Sequence, residues 1–281
     1  MSIWRTSRFA IDLTLPRVMG IVNVTPDSFS DGGQFASERD ALAHCEQLVD
    51  EGADMLDIGG ESTRPGARTP SADEELARVL PVLRHALTLG VPVSVDTSQP
   101  AVMRAVLDAG ADIVNDVRAL QRPGALEVVA AHASCGVCLM HMQGEPGTMQ
   151  AAPHYGDVVR GVAAFLAHRR DAALVAGIGF DRIVLDPGIG FGKTMAHNLA
   201  LLARQRELVS LGSPLLVGWS RKSTLGTVTG RSVDQRVHAS VAAALIAVER
   251  GARILRVHDV AATVDALKVW CATIAQKDST P

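Results

Sequence analysis

The chain has few aromatic residues (three Trp, one Tyr and six Phe in 281 residues), only four cysteines and almost no net charge. It also has no apolar run near the roughly 18 residues a membrane helix requires. Each shortage excludes something. Cys45, Cys135, Cys138 and Cys271 are too few and too scattered for a disulfide framework. A net charge of −3 gives no global basic excess for non-specific nucleic-acid binding, although a local anion site stays open. Met1–Leu15 does not show the charged-then-apolar order of a signal peptide. A cytoplasmic protein that meets neither membrane nor nucleic acid is therefore expected. Cys135-Gly-Val-Cys138 matches C-x-x-C, with His132 and His141 extending the spacing. In a buried strand, however, Cys138 and His141 would point to opposite faces, so the run is not read as a zinc or redox site.

What is present is repetition. Strand-like apolar runs recur at Val18–Val24, Met55–Ile58, Val91–Val95, Ile113–Asn115, Val137–Met140, Ile183–Leu185, Leu215–Val217 and Ile254–Val257. Between them lie segments of helical period, among them Ala72–Leu89, Pro100–Ala109, Tyr155–Ala176 and Asp234–Arg250. Eight strands alternating with helices predict an α/β fold with a parallel sheet, and eight is the count that closes a (β/α)8 TIM barrel. Gly52, Gly110 and Gly251 recur where a left-handed helix cap would precede the next strand. No linker or low-complexity run interrupts the chain, so residues 1–281 are expected to form a single domain. Residues 1–16 are expected to form a strand or hairpin at the barrel bottom, and 276–281 a mobile tail.

In such a barrel, chemistry is placed where the strands end. The first run passes into Asn23-Val-Thr-Pro-Asp27-Ser-Phe29, which sets an amide and a carboxylate around a turn; it also reads as a plain polar turn with an Asx cap. Asp57-Ile-Gly-Gly-Glu-Ser-Thr63-Arg64-Pro65-Gly66 could hold an anion through backbone N–H groups and a guanidinium, or be a surface loop. Asp96 closes an apolar strand, where it either caps a helix or meets the N–H-rich edge of a heterocycle. Asn115 can both donate and accept, and Met140 offers a soft apolar wall. Asp186-Pro-Gly-Ile-Gly-Phe191-Gly-Lys193-Thr194 is close to a phosphate-binding loop, but Pro187 stands where its first glycine is required, so a Walker nucleotide site is rejected. Its glycines would let backbone approach a flat ligand. Lys222-Ser223 precedes a helix start, and Arg256 and His258 share one strand face. Phe29, Phe191 and Trp219, three of the few aromatics, fall in these loops. Such a face suits a planar ligand with a donor-rich end and an anionic end, such as a heterocycle carrying a diphosphate.

These motifs, in this order from about Val18 to Ala272, resemble the dihydropteroate synthase family of folate biosynthesis. The resemblance implies transfer of a (7,8-dihydropterin-6-yl)methyl group from its diphosphate to 4-aminobenzoate by a dissociative displacement. It implies that Asp96, Asn115, Met140, Asp186 and Lys222 hold the pterin, and that Asn23 ligates Mg²⁺ on a diphosphate also met by Thr63, Arg64, Arg256 and His258. Phe29, Thr63, Pro65, Phe191 and Ser223 would form the aminobenzoate pocket. Asn23, Asp27, Arg64, Lys222, Arg256 and His258 would carry the chemistry, with Asp27 stabilising the cation or taking the amine proton. The family also implies a homodimer through helices on the side of the barrel. One residue departs from the pattern: Trp219 stands where a smaller residue is expected, and an inward ring would crowd the site. A corrinoid methyltransferase sharing the pterin-binding barrel is the nearest other reading. It expels no diphosphate and would have no use for the first two loops together.

Overall fold

The computed structural model describes residues 3–24, 33–61, 68–145 and 147–277, with side chains from Glu38 onward in the first helix. Strands β1 (Ile3–Arg5) and β2 (Ala10–Asp12) form an antiparallel hairpin. Eight further strands close into a barrel: β3 (Arg17–Asn23), β4 (Met55–Gly59), β5 (Val93–Asp96), β6 (Ile113–Asp116), β7 (Gly136–Met140), β8 (Ile183–Asp186), β9 (Leu215–Val217) and β10 (Ala252–Val257), with β10 returning to β3. All neighbouring pairs are parallel. Helices α1 (Gly33–Asp50), α2 (Ala72–Ala86), α3 (Pro100–Asp108), α4 (Ala125–Ala131), α5 (Val158–Val175), α6 (Met195–Ala203), α7 (Arg206–Val209), α8 (Ser223–Thr229), α9 (Val237–Glu249) and α10 (Val260–Lys277) follow the strands. The protein is a (β/α)8 TIM barrel.

Local chemistry sets the helix ends. Ser71 Oγ accepts from the Glu74 N–H at 3.2 Å, and the Glu74 carboxylate accepts from the Ser71 N–H at 2.8 Å, which starts α2 with a capping box. Its far end stops at Ala86 and tightens into a 3-10 turn over Leu87–Leu89, short of the continuous helix expected. Asp157 accepts from the N–H groups of Val159 and Arg160, so α5 begins at Val158 and not at Tyr155. A separate 3-10 turn at Val233–Gln235 likewise delays α9. The three repeated caps at Gly52, Gly110 and Gly251 have φ of 96°, 103° and 95°. Helix α10 continues through Gln276 and Lys277, two residues into the expected tail; residues 278–281 lie outside the described residues. Among the described residues no helix is long and apolar enough to cross a membrane.

Side-chain alternation divides the core in two. Val18, Val22, Leu56, Ile58, Val93 and Val95 point outward beneath the helices, whereas Met19, Met55, Ile113, Cys138, Val184, Leu216 and Ile254 fill the lower barrel with Trp4, Ile11 and Leu13 of the hairpin segment. Cys135 belongs to the outer layer and Cys138 to the inner, so the barrel wall separates the C-x-x-C pair. Trp4 is fully buried, and its indole Nε1 donates to the Arg182 carbonyl at 2.9 Å. The Arg182 guanidinium donates in turn to the carbonyls of Cys135 at 2.7 Å and His132 at 3.0 Å. Arg8 grips Asp112 through Nε and Nη2 at 3.0 and 2.7 Å, a charge-assisted fork that fixes the hairpin to the barrel floor. Trp4→Ala is expected to lower the unfolding free energy by about 3–5 kcal/mol through the cavity it leaves. Urea denaturation measures this; a loss under 1 kcal/mol, on the order of a surface change, would mean that the hairpin does not close the core.

Candidate active site

The same alternation fixes what points inward above the apolar floor. Two and four residues beyond its members come Ile21 and Asn23, Asp57 and Gly59, Asn115, Met140, Asp186, Gly218 and Ser220, and Arg256 and His258. Pairing of Asp57 with Ser94 places Asp96 on this side too. Asp96, Asn115, Met140, Asp186, Phe191, Lys222, Arg256 and His258 line one cleft, with about 460 Å³ of space reaching out into the solvent at its mouth. Ile21, Val117 and Ile189 supply apolar wall. Asn23 is half-buried at the end of β3 beside this cleft, its Oδ1 3.8 Å from where a Cβ on Gly59 would stand. Ser223 is exposed at the first position of α8, directly after Lys222. Asp27, Phe29, Thr63, Arg64 and Pro65 lie outside the described residues.

Arg256 organises the floor. Its Nε donates to Asp57 Oδ2 at 2.6 Å and its Nη2 to Asp96 Oδ2 at 3.2 Å. Asp57 is fully buried; its Oδ2 also accepts from Asn115 Nδ2 at 3.1 Å, and its Oδ1 has no partner among the described residues. The sequence reading passed over Asp57 as a site residue, though its inward position between Met55 and Gly59 was available from the alternation. Burial pushes the Asp96 carboxyl up to about 8, with Arg256 opposing and Asp57 adding to the rise. Burial also raises Asp186 to about 6, although the Gly188 N–H donates to its Oδ1 at 2.7 Å. Lys222 is pushed down to about 8 by burial and by Arg256, and its Nζ lies 4.4 Å from the centre of the Phe191 ring. The cleft therefore holds carboxyls whose charged, acceptor-only form is weakly compensated. A ligand edge rich in N–H donors supplies what they lack.

Three expectations change. His258 is not a cation here: burial, Arg256 and Arg221 push it down to about 3. Its Nδ1 lies 3.0 Å from Ser220 Oγ, which also accepts from the His258 N–H at 3.1 Å, so the neutral ring is tied to Ser220 through Nδ1. Trp219 does not crowd the cleft, because it is buried in the outer layer while its neighbours Gly218 and Ser220 face inward. Gly188 and Gly192 pack loop against loop, and Gly188 also lines the cleft. A Cβ on Gly188 would fall 1.9 Å from the His141 carbonyl oxygen, and one on Gly192 2.3 Å from that of Gln143. Asp116, beside Asn115, shapes its own loop by accepting from Ser98 Oγ at 2.5 Å and from the N–H groups of Arg118 and Leu120 at 2.8 and 2.7 Å.

Residues 19–258 match the family model described as pterin binding enzyme. The chain belongs to the dihydropteroate synthase family of pterin-binding enzymes. It is 56% identical to the dihydropteroate synthase of Neisseria meningitidis serogroup B, with 95% of this chain and 96% of that one covered. To the Escherichia coli K12 dihydropteroate synthase it is 49% identical, covering 96% of each. The Xanthomonas albilineans dihydropteroate synthase solved with 4-aminobenzoic acid superposes with a TM-score of 0.90 at 55% identity, covering 95% and 96% of the two chains. That of Burkholderia cenocepacia, complexed with 7,8-dihydropteroate, gives a TM-score of 0.90 at 49% identity over 99% of each. The chain is a transferase of folate biosynthesis, which condenses (7,8-dihydropterin-6-yl)methyl diphosphate with 4-aminobenzoate to give 7,8-dihydropteroate and pyrophosphate.

The raised carboxyls carry a sign. A carboxyl whose folded pKa lies above its unfolded value stabilises the fold fully below the ordinary 3.8, and that contribution is lost as pH rises through about 6 for Asp186 and about 8 for Asp96. Asp96→Asn, without ligand, is expected to lose less Tm than the parent between pH 5 and pH 9, while binding a pterin about 10–100-fold more weakly. Calorimetry reads both. Parallel Tm profiles together with unchanged affinity would remove Asp96 from the pterin floor.

Proposed function

We propose that the floor of the cleft holds the pterin and its rim the diphosphate. The observation carrying this is the meeting of acceptors Asp96, Asn115 and Asp186 with donors Lys222, Arg256 and His258 in one cleft. Asp96 and Asp186 accept from the amino and ring N–H groups of the pterin, Asn115 completes its edge, Met140 lies against its face and Lys222 donates to it. Thr63, Arg64, Arg256 and the neutral His258 meet the diphosphate. Phe29, Thr63, Pro65, Phe191 and Ser223 form the aminobenzoate pocket.

The displacement is dissociative. The bond between the pterin methylene carbon and the diphosphate oxygen breaks with both electrons leaving on pyrophosphate, and the dihydropterin ring delocalises the resulting positive charge. The amine lone pair of aminobenzoate then forms the new C–N bond, and that nitrogen releases a proton. No strong nucleophile from the protein is needed. The protein's tasks are to hold the leaving group with fixed donors and to keep water from the cation, with Asp27 stabilising the cation or taking the amine proton.

A divalent ion fits the donor set at Asn23. Its amide oxygen is a hard ligand not covered by any side chain on Gly59, and among the described residues no group of three His, Cys, Asp or Glu could hold a metal unaided. Mg²⁺ characteristically takes one or two protein oxygens and fills its shell from phosphate and water, so it would arrive with the diphosphate and neutralise part of its charge. Pyrophosphate release that requires both substrates tests the reaction. In that assay Asn23→Ala is expected to cut turnover while leaving the affinity for a pterin without diphosphate unchanged; equal turnover with and without chelator would remove the metal and this role for Asn23.

The protein acts in the cytoplasm as a homodimer. Helix α9 carries Val, Ala, Leu and Ile on all its sides, a composition suited to burial, and Ile246 with neighbouring Leu199 and Val209 stays 41%, 37% and 36% exposed. Light scattering is expected to give a dimer mass that Ile246→Glu converts to a monomer; a monomeric parent would end this proposal.

A further inference from the structure

Lys193, the lysine of the near-miss phosphate loop, has no part in the reaction above, yet it is only 3% exposed. Its Nζ lies 2.9 Å from the Gly188 carbonyl, 3.0 Å from that of Phe191, 3.3 Å from that of His141 and 2.9 Å from His141 Nδ1. An ammonium has three protons and no lone pair. Burial lowers Lys193 itself to about 7; in its charged form the amine donates to the ring nitrogen, and His141 is pushed down to about 3 by burial and by the Lys193 charge. Phe165 packs edge-on against that ring at 4.8 Å between centroids, so the ring is held in place. Lys193 itself does not line the cleft.

What the amine ties together does line it. The Gly188–Phe191 turn is the piece of backbone that sets two ligand-facing groups: the Gly188 N–H that orients Asp186, and the Phe191 ring beneath Lys222. Its neighbour, the segment after β7, reaches over the same turn, with Tyr155 Oη donating to the Gly192 carbonyl at 2.9 Å and Gln150 Nε2 to that of Gly190 at 2.5 Å. Among the described residues, the Lys193 amine is the group that draws the Gly188 and Phe191 carbonyls onto His141. A neutral apolar side chain there would leave the His141 and Phe191 carbonyls without that donor, and the Gly188 carbonyl with the Phe191 N–H at 3.1 Å alone.

We propose that Lys193 is a positioning residue for the transfer reaction, holding the Gly188–Phe191 turn against His141 so that Asp186 meets the pterin and Phe191 the aminobenzoate. The proposal rests on the reading of the cleft given above. Lys193→Met keeps the length of the side chain and removes every donor. In a folded variant, steady-state kinetics are expected to show KM for both substrates raised about tenfold or more, with the larger part of the lost kcat/KM in KM. A purely structural role would lower the yield of folded protein and its Tm but leave both KM values of the folded fraction where they were. KM values within twofold of the parent overturn the proposal. Should Lys193→Met fail to fold, His141→Leu decides by the same criterion: it fills the ring's space and removes one of the four acceptors, with an expected rise in KM of about threefold. A parent that releases no pyrophosphate would instead remove the reading of the cleft, and the positioning role with it.

Discussion

Three carboxylates, those of Asp57, Asp96 and Asp186, stand inside the upper barrel, where one guanidinium and one amine face them across the cleft. Burying a carboxylate is costly unless it is paired and hydrogen-bonded, and the fold meets that cost only in part. Arg256 is shared between two of the acids, Asn115 and the Gly188 N–H each serve one, and Asp57 Oδ1 is left without a partner among the described residues. The shortfall appears as raised carboxyl pKa values and a lowered lysine. On the reading proposed above, the donor-rich ring edge of the substrate complements these acids. Strain in the free protein and affinity for the ligand have one origin here.

The two ends of the barrel divide the work. Below, alternation puts Met, Ile, Val and Leu inward and a hairpin tryptophan seals them, an arrangement that contributes stability and no chemistry. Above, two residues further along the same strands, the inward positions turn polar. The change takes one step of the pleat. Rigid strands from below thereby hold the acids and amides at fixed separations.

Much of this was legible in the sequence because strand periodicity and strand-end chemistry are local signals. All eight barrel strands were placed within a few residues, and Asp96, Asn115, Met140, Asp186, Lys222, Arg256 and His258 do converge. What escaped depends on contacts between distant segments. Nothing near Asp57 in the chain announces that Arg256, 199 residues on, will take it as partner. The charge of His258 is decided by burial first and by the nearby Arg256 and Arg221, and burial is not visible in the local sequence. Gly188 and Gly192 looked like room for a ligand until the carbonyls of His141 and Gln143 were found in that room. Trp219 looked obstructive because the direction of a side chain just past a short strand is not given by composition.

The seal at the barrel floor also has a history in time. The hydrogen-bond partner of Trp4, Arg182, lies 178 residues later in the chain, and the fork from Arg8 waits for Asp112, 104 residues on. At ordinary synthesis rates of about 5–20 residues per second, the interval between Trp4 and its partner is on the order of ten seconds or more. Through that interval the Trp4 indole has no Arg182 carbonyl to donate to and the floor stays incomplete, long-range contacts being slow to form. The feature that makes the finished floor secure is the one that leaves the growing chain longest in need of protection from its neighbours.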